Sequence, residues 1–199
     1  MLQDLDDTLI ELLNRELPPD LVQQINFSFS SPDKDSISKE TTKSLVINLF
    51  LYDVRANLEL RNSVPTFERE TNGKATIRLP SARVDCSYLI TAWSIQNANP
   101  REEHLILGEV MKVLLRFPKL PMEVLQGSLK TQSLPLPTAF MRAGQLQNVG
   151  AFWQAMGGKP KATLNYTVTI AVPVDPAGEE VPLAQGSKIS LELLANKSE

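Results

Sequence analysis

One cysteine, one histidine and no sustained apolar run in 199 residues remove many of the chemistries open to a chain of this size. Cys86 has no second cysteine to pair with, so an internal disulfide is excluded. It lies inside an apolar β-type run, where a free thiol behaves as a small hydrophobe. His104 follows Glu102 and Glu103, but a metal centre needs more ligands and a general base needs an orienting partner. A surface histidine at a helix start is the simpler account. No stretch nears the roughly 20 apolar residues of a membrane span. Neither charge dominates: 20 basic against 23 acidic residues, spread without blocks, give a formal net charge of −3. That balance offers no basic groove for nucleic acid and no attraction to anionic lipid. The first twenty residues alternate acidic and apolar positions, unlike a secretory leader, so folding in a reducing cytoplasm is expected.

Motifs with catalytic spacing are few. Ser36-Ile37-Ser38-Lys39 has the spacing of a serine–lysine nucleophile pair, yet it sits in a polar tract without companion motifs. Gly157-Gly158-Lys159 follows a helical stripe rather than opening one, so no helix N-terminus faces an anion there. Trp93 and Trp153 lie in strongly periodic apolar segments and read as core. No catalytic residue, metal site or cofactor is expected.

What is present is a pattern of helices and long strands. Leu2, Leu5, Leu9, Leu12 and Leu13 recur at helical spacing, with Asp4, Asp6 and Asp7 at the start where the helix dipole favours negative charge. Pro18-Pro19 ends that helix. Ile25, Phe27 and Phe29 alternate as in a half-exposed strand, and 31–44 is a polar loop. Leu45 to Val54 is apolar on both faces and predicts a central strand, running into a turn at Asp53-Val54-Arg55 and a short second strand. Asn62 to Lys74 reads as a hairpin tip or long loop, and Val84 to Ile95 as a second long strand beside the first. Asn99-Pro100 opens a helix that apolar residues cover on most sides, predicting a buried element closed by Pro118.

Pro121 to Leu129 predicts one or two helical turns. Leu134-Pro135-Leu136-Pro137 must be extended or an edge, because proline donates no ladder hydrogen bond. Leu146, Val149, Phe152, Trp153 and Met156 predict a third helix over 145–156, capped by Gly157. Ala162 to Val172 alternates strictly, predicting a strand with one face on the core and its Thr/Asn face toward water or a partner. Residues 1–174 read as one domain and 175–199 as an arm, with Lys188 to Leu194 a possible late strand. Asp53, Arg55 and Asp85 border these apolar strands; an ion pair from Arg55 or Arg61 to Asp85 would fix register, unless the arginines pair across a subunit boundary. The fold class is α+β: a mixed, largely antiparallel sheet flanked by about three helices.

In order, LQDLDDTLIELLNREL, NLFLYDVRANLELR, RVDCSYLITAW, EEHLILGEVMKVLLRFPKLP, the Leu125-Gln126-Gly127 step, the Phe152 to Gly158 segment and LNYTVTIAV span nearly residues 1–172. Taken jointly, they resemble the cap or tail-terminator family of extracellular contractile injection systems, of the Photorhabdus virulence cassette and antifeeding prophage type. The departures lie in the Asn62 to Lys74 tract and after Pro173.

The resemblance implies a tail-terminator-like fold and a structural role without catalysis: a homohexameric ring at the distal end of the inner tube and sheath that stops polymerisation. Its partners would be copies of itself, the sheath protein and the tube protein, with no nucleic acid and no membrane insertion. It would assemble in the cytoplasm as part of a phage-tail-like particle. A terminator must satisfy open edges while presenting none that can be extended. On that basis the expected contact residues are Arg55, Arg61, Leu134, Leu136, Thr163, Asn165, Thr167 and Thr169, together with the arm. The alternatives are a tube-initiating or baseplate adaptor of the same machine, and a small-ligand binding protein or enzyme, which a deep pocket joining His104 to a carboxylate would favour.

Overall fold

The computed structural model describes residues 1–33, 35–37, 43–61, 64–69, 74–95, 99–132, 134–140, 149–157, 159–174 and 179–182. The chain divides into two compact units. The first comprises 1–61 and 82–172; the second comprises 62–81 and 173–199.

The first unit is built on one five-stranded sheet. Its strands are β1 (Ile25–Ser28), β2 (Leu45–Ala56), β5 (Ala82–Ser94), β6 (Thr138–Phe140) and β7 (Leu164–Val172), in the order β1-β2-β5-β7-β6. Only β1 and β2 run parallel; the other pairs are antiparallel, so the sheet is mixed and largely antiparallel as expected. The two long apolar runs do lie side by side, with Leu45 opposite Ser94 and Ala56 opposite Val84. The turn expected at Asp53-Val54-Arg55 is absent. The strand absorbs the irregularity as a bulge at Tyr52, between Leu51 and Asp53, and continues to Ala56.

Helix α1 (Leu2–Glu16) is helical because its leucines recur on one face; Leu5, Leu9, Leu12 and Leu13 are fully buried against the sheet. Pro18 forces the chain out of the helix, and Pro19 then opens a short α2 (Pro19–Gln24) before β1. Helix α3 (Pro100–Arg116) starts at Asn99 with Glu102 and Glu103 in its first turn. It packs Ile106, Leu107, Val110, Val113 and Leu114 into the same core. Leu105 and Leu115 stay exposed, so this helix is amphipathic rather than buried all round. Ile47, Leu49, Tyr88, Ile90, Tyr166 and Val168 face these two helices, and each such side chain contributes about 1.5–3 kcal/mol by leaving water.

Two 3₁₀ turns, Met122–Val124 and Gly127–Thr131, dock on the start of α1. On the opposite face of the sheet, Val46 and Trp93 meet Ile37 and Ile95. The third expected helix exists as α4 (Val149–Ala155), ended by Gly157 at φ +65°; residues 145–148 lie outside the described ones. Trp153 on α4 is buried, and the neighbouring Phe152 meets the Tyr52 ring edge-on at 6.5 Å.

The second unit holds a separate antiparallel sheet, β3 (Thr66–Arg69), β4 (Lys74–Arg78) and β8 (Glu179–Pro182), in the order β3-β4-β8. The tract from 62 to 74, read as a hairpin tip or long loop, therefore contains the strand β3 paired antiparallel to β4, and the start of the arm is a paired strand. Its sparse apolar content hid both from a periodicity argument.

Candidate assembly surface

The strand expected over Ala162 to Val172 forms as Leu164–Val172 and is flanked on both sides: β5 pairs along its whole length and β6 covers Tyr166 to Val168. Its polar face is accordingly covered. Thr167 is 2% exposed and its hydroxyl is 3.0 Å from Ser87 Oγ; Thr169 is 6% exposed and donates to Asp85 Oδ1 at 2.6 Å. Asn165 Oδ1 accepts from Tyr52 Oη at 2.9 Å, and Thr163 is half-buried just before the strand. The side chains of Asn165, Thr167 and Thr169 are occupied within the chain.

The expected ion pair to Asp85 is not formed either. Arg55 stands directly opposite Asp85 in the ladder but donates through Nε to Asp53, which raises the guanidinium pKa. Asp85 instead accepts from Asn57 Nδ2 at 2.9 Å and from Thr169. Asn57 also receives the Leu60 N–H on Oδ1, closing the turn after β2. A side-chain amide thus does the work that two arginines were expected to share. Arg55 and Arg61 are left on the surface, with Val54, Leu58 and Leu60 exposed around them.

The proline-rich segment splits by parity. Leu136 is 2% exposed and plugs the core, whereas Leu134 is 44% exposed. Its carbonyls are spoken for: Pro135 O accepts from Arg83 Nη2 at 2.9 Å, Leu136 O from Leu120 N, and Pro137 O from Thr169 N. Gln132 then meets the last turn of β7 as a false strand. Its Nε2 donates to Ala171 O at 2.8 Å and its Oε1 accepts from Ala171 N at 3.1 Å. The β7 side of the sheet is therefore blunted by a three-residue strand, prolines and one glutamine, the devices that keep a sheet from being extended.

The β2 side is built differently. The four residues of β1 pair only with Leu45 to Asn48, so Leu49–Ala56 has no strand neighbour on that side among the described residues.

A cleft of about 690 Å³ holds His104 beside Asp33, Asp35, Glu103 and Lys161. Two of its charges are tied to each other: Lys161 Nζ is 2.7 Å from Glu103 Oε2 and lies 3.9 Å over the Trp93 ring, and Glu103 Oε1 accepts from Ser94 N. His104 is exposed at this cleft, and no carboxylate among the described residues hydrogen-bonds it. No group of described His, Cys, Asp and Glu residues could hold a metal ion. Ser38 and Lys39 lie outside the described residues. Cys86 is fully buried and its thiol is pushed up to about 12 by burial. No helix among the described residues is long and apolar enough to cross a membrane.

The family model described as the Pvc16 N-terminal domain matches residues 4–185. The chain belongs to that family. Two solved structures share the fold of this Pvc16 N-terminal domain. One is the PVC sheath/tube terminator of an extracellular contractile injection system in its extended state, with a TM-score of 0.68 and 23% identity over 100% of this chain. The other is the anti-feeding prophage cap, described as the AFP tube terminating cap, with a TM-score of 0.69 and 23% identity over 96% of this chain. The present chain covers 65% and 62% of the lengths of those two chains. A search of curated proteins finds no match.

Proposed function

We propose that this chain is the structural cap of a phage-tail-like contractile injection particle, forming a ring that closes the distal end of the inner tube and sheath. Membership of the Pvc16 N-terminal domain family carries the reading, supported by a fold shared with a sheath/tube terminator and a tube terminating cap. The protomer suits such a part on physical grounds. A growing cylinder propagates through exposed edges, and a terminator must engage the last layer without offering the same edge onward. Here the β7 side is sealed by Gln132, Pro137 and β6, while Leu49–Ala56 on the β2 side has no strand neighbour among the described residues.

In this reading the protomers form a homohexamer that contacts sheath and tube protein, assembles in the cytoplasm, and acts by shape. It uses no cofactor and catalyses no reaction. Arg55, Arg61 and Leu134 are the expected contact residues that stay at the surface. Deleting the gene tests the role: tubes and sheaths of uncontrolled length, or none, are expected by negative-stain microscopy. Particles of normal length and stability would overturn it.

A further inference from the structure

The stretch of β2 that has no outer strand neighbour among the described residues has two unlike faces. The register places Leu49, Leu51 and Val54 on the core side, opposite Ile90, Tyr88 and Cys86. It places Asp53 and Arg55 on the other side, opposite Ser87 and Asp85. An added strand would therefore need apolar side chains at alternate positions on one face and polar or charged ones of both signs on the other. Residues 188–194 of the same chain read KISLELL. Ile189, Leu191 and Leu193 alternate with Lys188, Ser190 and Glu192, so through Leu193 the segment carries one apolar face and one face bearing a cation and an anion, with Leu194 ending the polar side. Asp53 and Arg55 can meet both signs, and Leu51 and Val54 can meet the leucines.

We propose that the open edge of β2, Leu49–Ala56, accepts Lys188–Leu194 of a second copy of this chain as an added strand. The inference rests on the ring reading: such an exchange joins two different patches of each protomer, the head-to-tail relation a closed ring requires. It also gives the Leu49–Ala56 stretch of each copy a strand neighbour once the ring closes. Backbone hydrogen bonds supply the attachment and the two-faced side-chain pattern supplies its specificity.

A mixing experiment tests it. One preparation carries Ala56→Cys, the other Ser190→Cys, and a short thiol cross-linker is added to the mixture. A cross-linked heterodimer can arise only between copies, and the native thiol at Cys86 is fully buried. The expected result is a heterodimer that disappears when the Ser190→Cys chain also carries Leu191→Pro, since proline removes a donor the added strand needs. Circular dichroism and the melting temperature of the Leu191→Pro chain should be unchanged, separating loss of exchange from loss of fold. A ring by native mass spectrometry with no heterodimer would overturn the exchange and leave the cap role standing. An internal cross-link in the doubly substituted chain, without heterodimer from the mixture, would also overturn it. Absence of a ring, with normal particles after gene deletion, would overturn the cap role and the exchange with it.

Discussion

Asp4 shows how much one carboxylate near the start of α1 can organise. The Ser128 hydroxyl and N–H both donate to its Oδ2, and the amino group of Met1 lies 3.1 Å away. The Ser128 hydroxyl, then that amino group, hold its pKa down to about 2 from an ordinary 3.8. A depressed carboxyl pKa stabilises the fold fully above its unfolded value and loses that contribution as pH falls through the folded one. Asp4→Asn should therefore be less stable than the parent above pH 4, with the gap closing toward pH 2 in urea titrations; a gap independent of pH would show that the charge is irrelevant. The carboxylate also explains its neighbour. Gly127 sits at φ +50°, and a Cβ there would collide with the Asp4 side chain. Gly127→Ala should cost about 1–3 kcal/mol by backbone strain alone, measurable as a lower urea midpoint at unchanged slope. Cys86, buried mid-strand with its thiol pushed up to about 12, should ignore a thiol reagent at pH 8 in the native protein and react once in denaturant. Labelling of the native protein would contradict this.

Edge closure is decided at the scale of elements, where single residues stand in for strands. Gln132→Ala would strip Ala171 of both backbone partners, at about 1–3 kcal/mol. It would also bare the end of β7, so concentration-dependent association beyond that of the parent in light scattering should accompany the loss of stability; the parent's oligomeric state and stability, both unchanged, would show that Gln132 does not close this edge. Nothing in the sequence marks Gln132, because a lone glutamine between two short turns has no periodic signature. The long strands were legible for the opposite reason. Leu45 to Val54 and Val84 to Ile95 carry apolar side chains on both faces, which only an interior position satisfies, and α1 announces itself through its leucines. What alternation could not report was which strands neighbour one another. The Thr163 to Thr169 face reads as turned toward water or a partner, yet Ser87 and Asp85 on the adjacent strand take up the hydroxyls of Thr167 and Thr169. The Asp53-Val54-Arg55 charges likewise suggest a turn, when a bulge at Tyr52 re-aims the strand instead. The contact role of Arg55 and Arg61 followed from charges beside apolar strands, and Asn57, which takes the Asp85 carboxylate, carried no charge to draw attention.

For the whole molecule, the division into two units makes a claim about where stability resides. The first unit owns the core: α1, α3 and all five strands of the larger sheet lie in 1–61 and 82–172. Residues 62–81 of the second are inserted between β2 and β5, whose ladder already closes through Ala56 opposite Val84 and Asn57 N to Arg83 O at 2.8 Å. The two ends of the insertion thus leave from neighbouring points on an intact hairpin. Replacing Asn62–Ser81 by a short Gly/Ser linker removes β3 and β4 and leaves β8 without its ladder, but takes no residue from that core. Shortening a loop changes closure entropy by only about 0.6 kcal/mol per halving, so the shortened chain should unfold cooperatively within a few degrees of the parent. Family members are expected to vary most in such an insertion, since loops tolerate change where few buried groups depend on them. If the insertion carries contacts to sheath or tube, the shortened protein should keep its circular dichroism spectrum and fail to restore uniform particle length in a deletion strain. Collapse of the melting transition would instead make the inserted sheet part of the folding core.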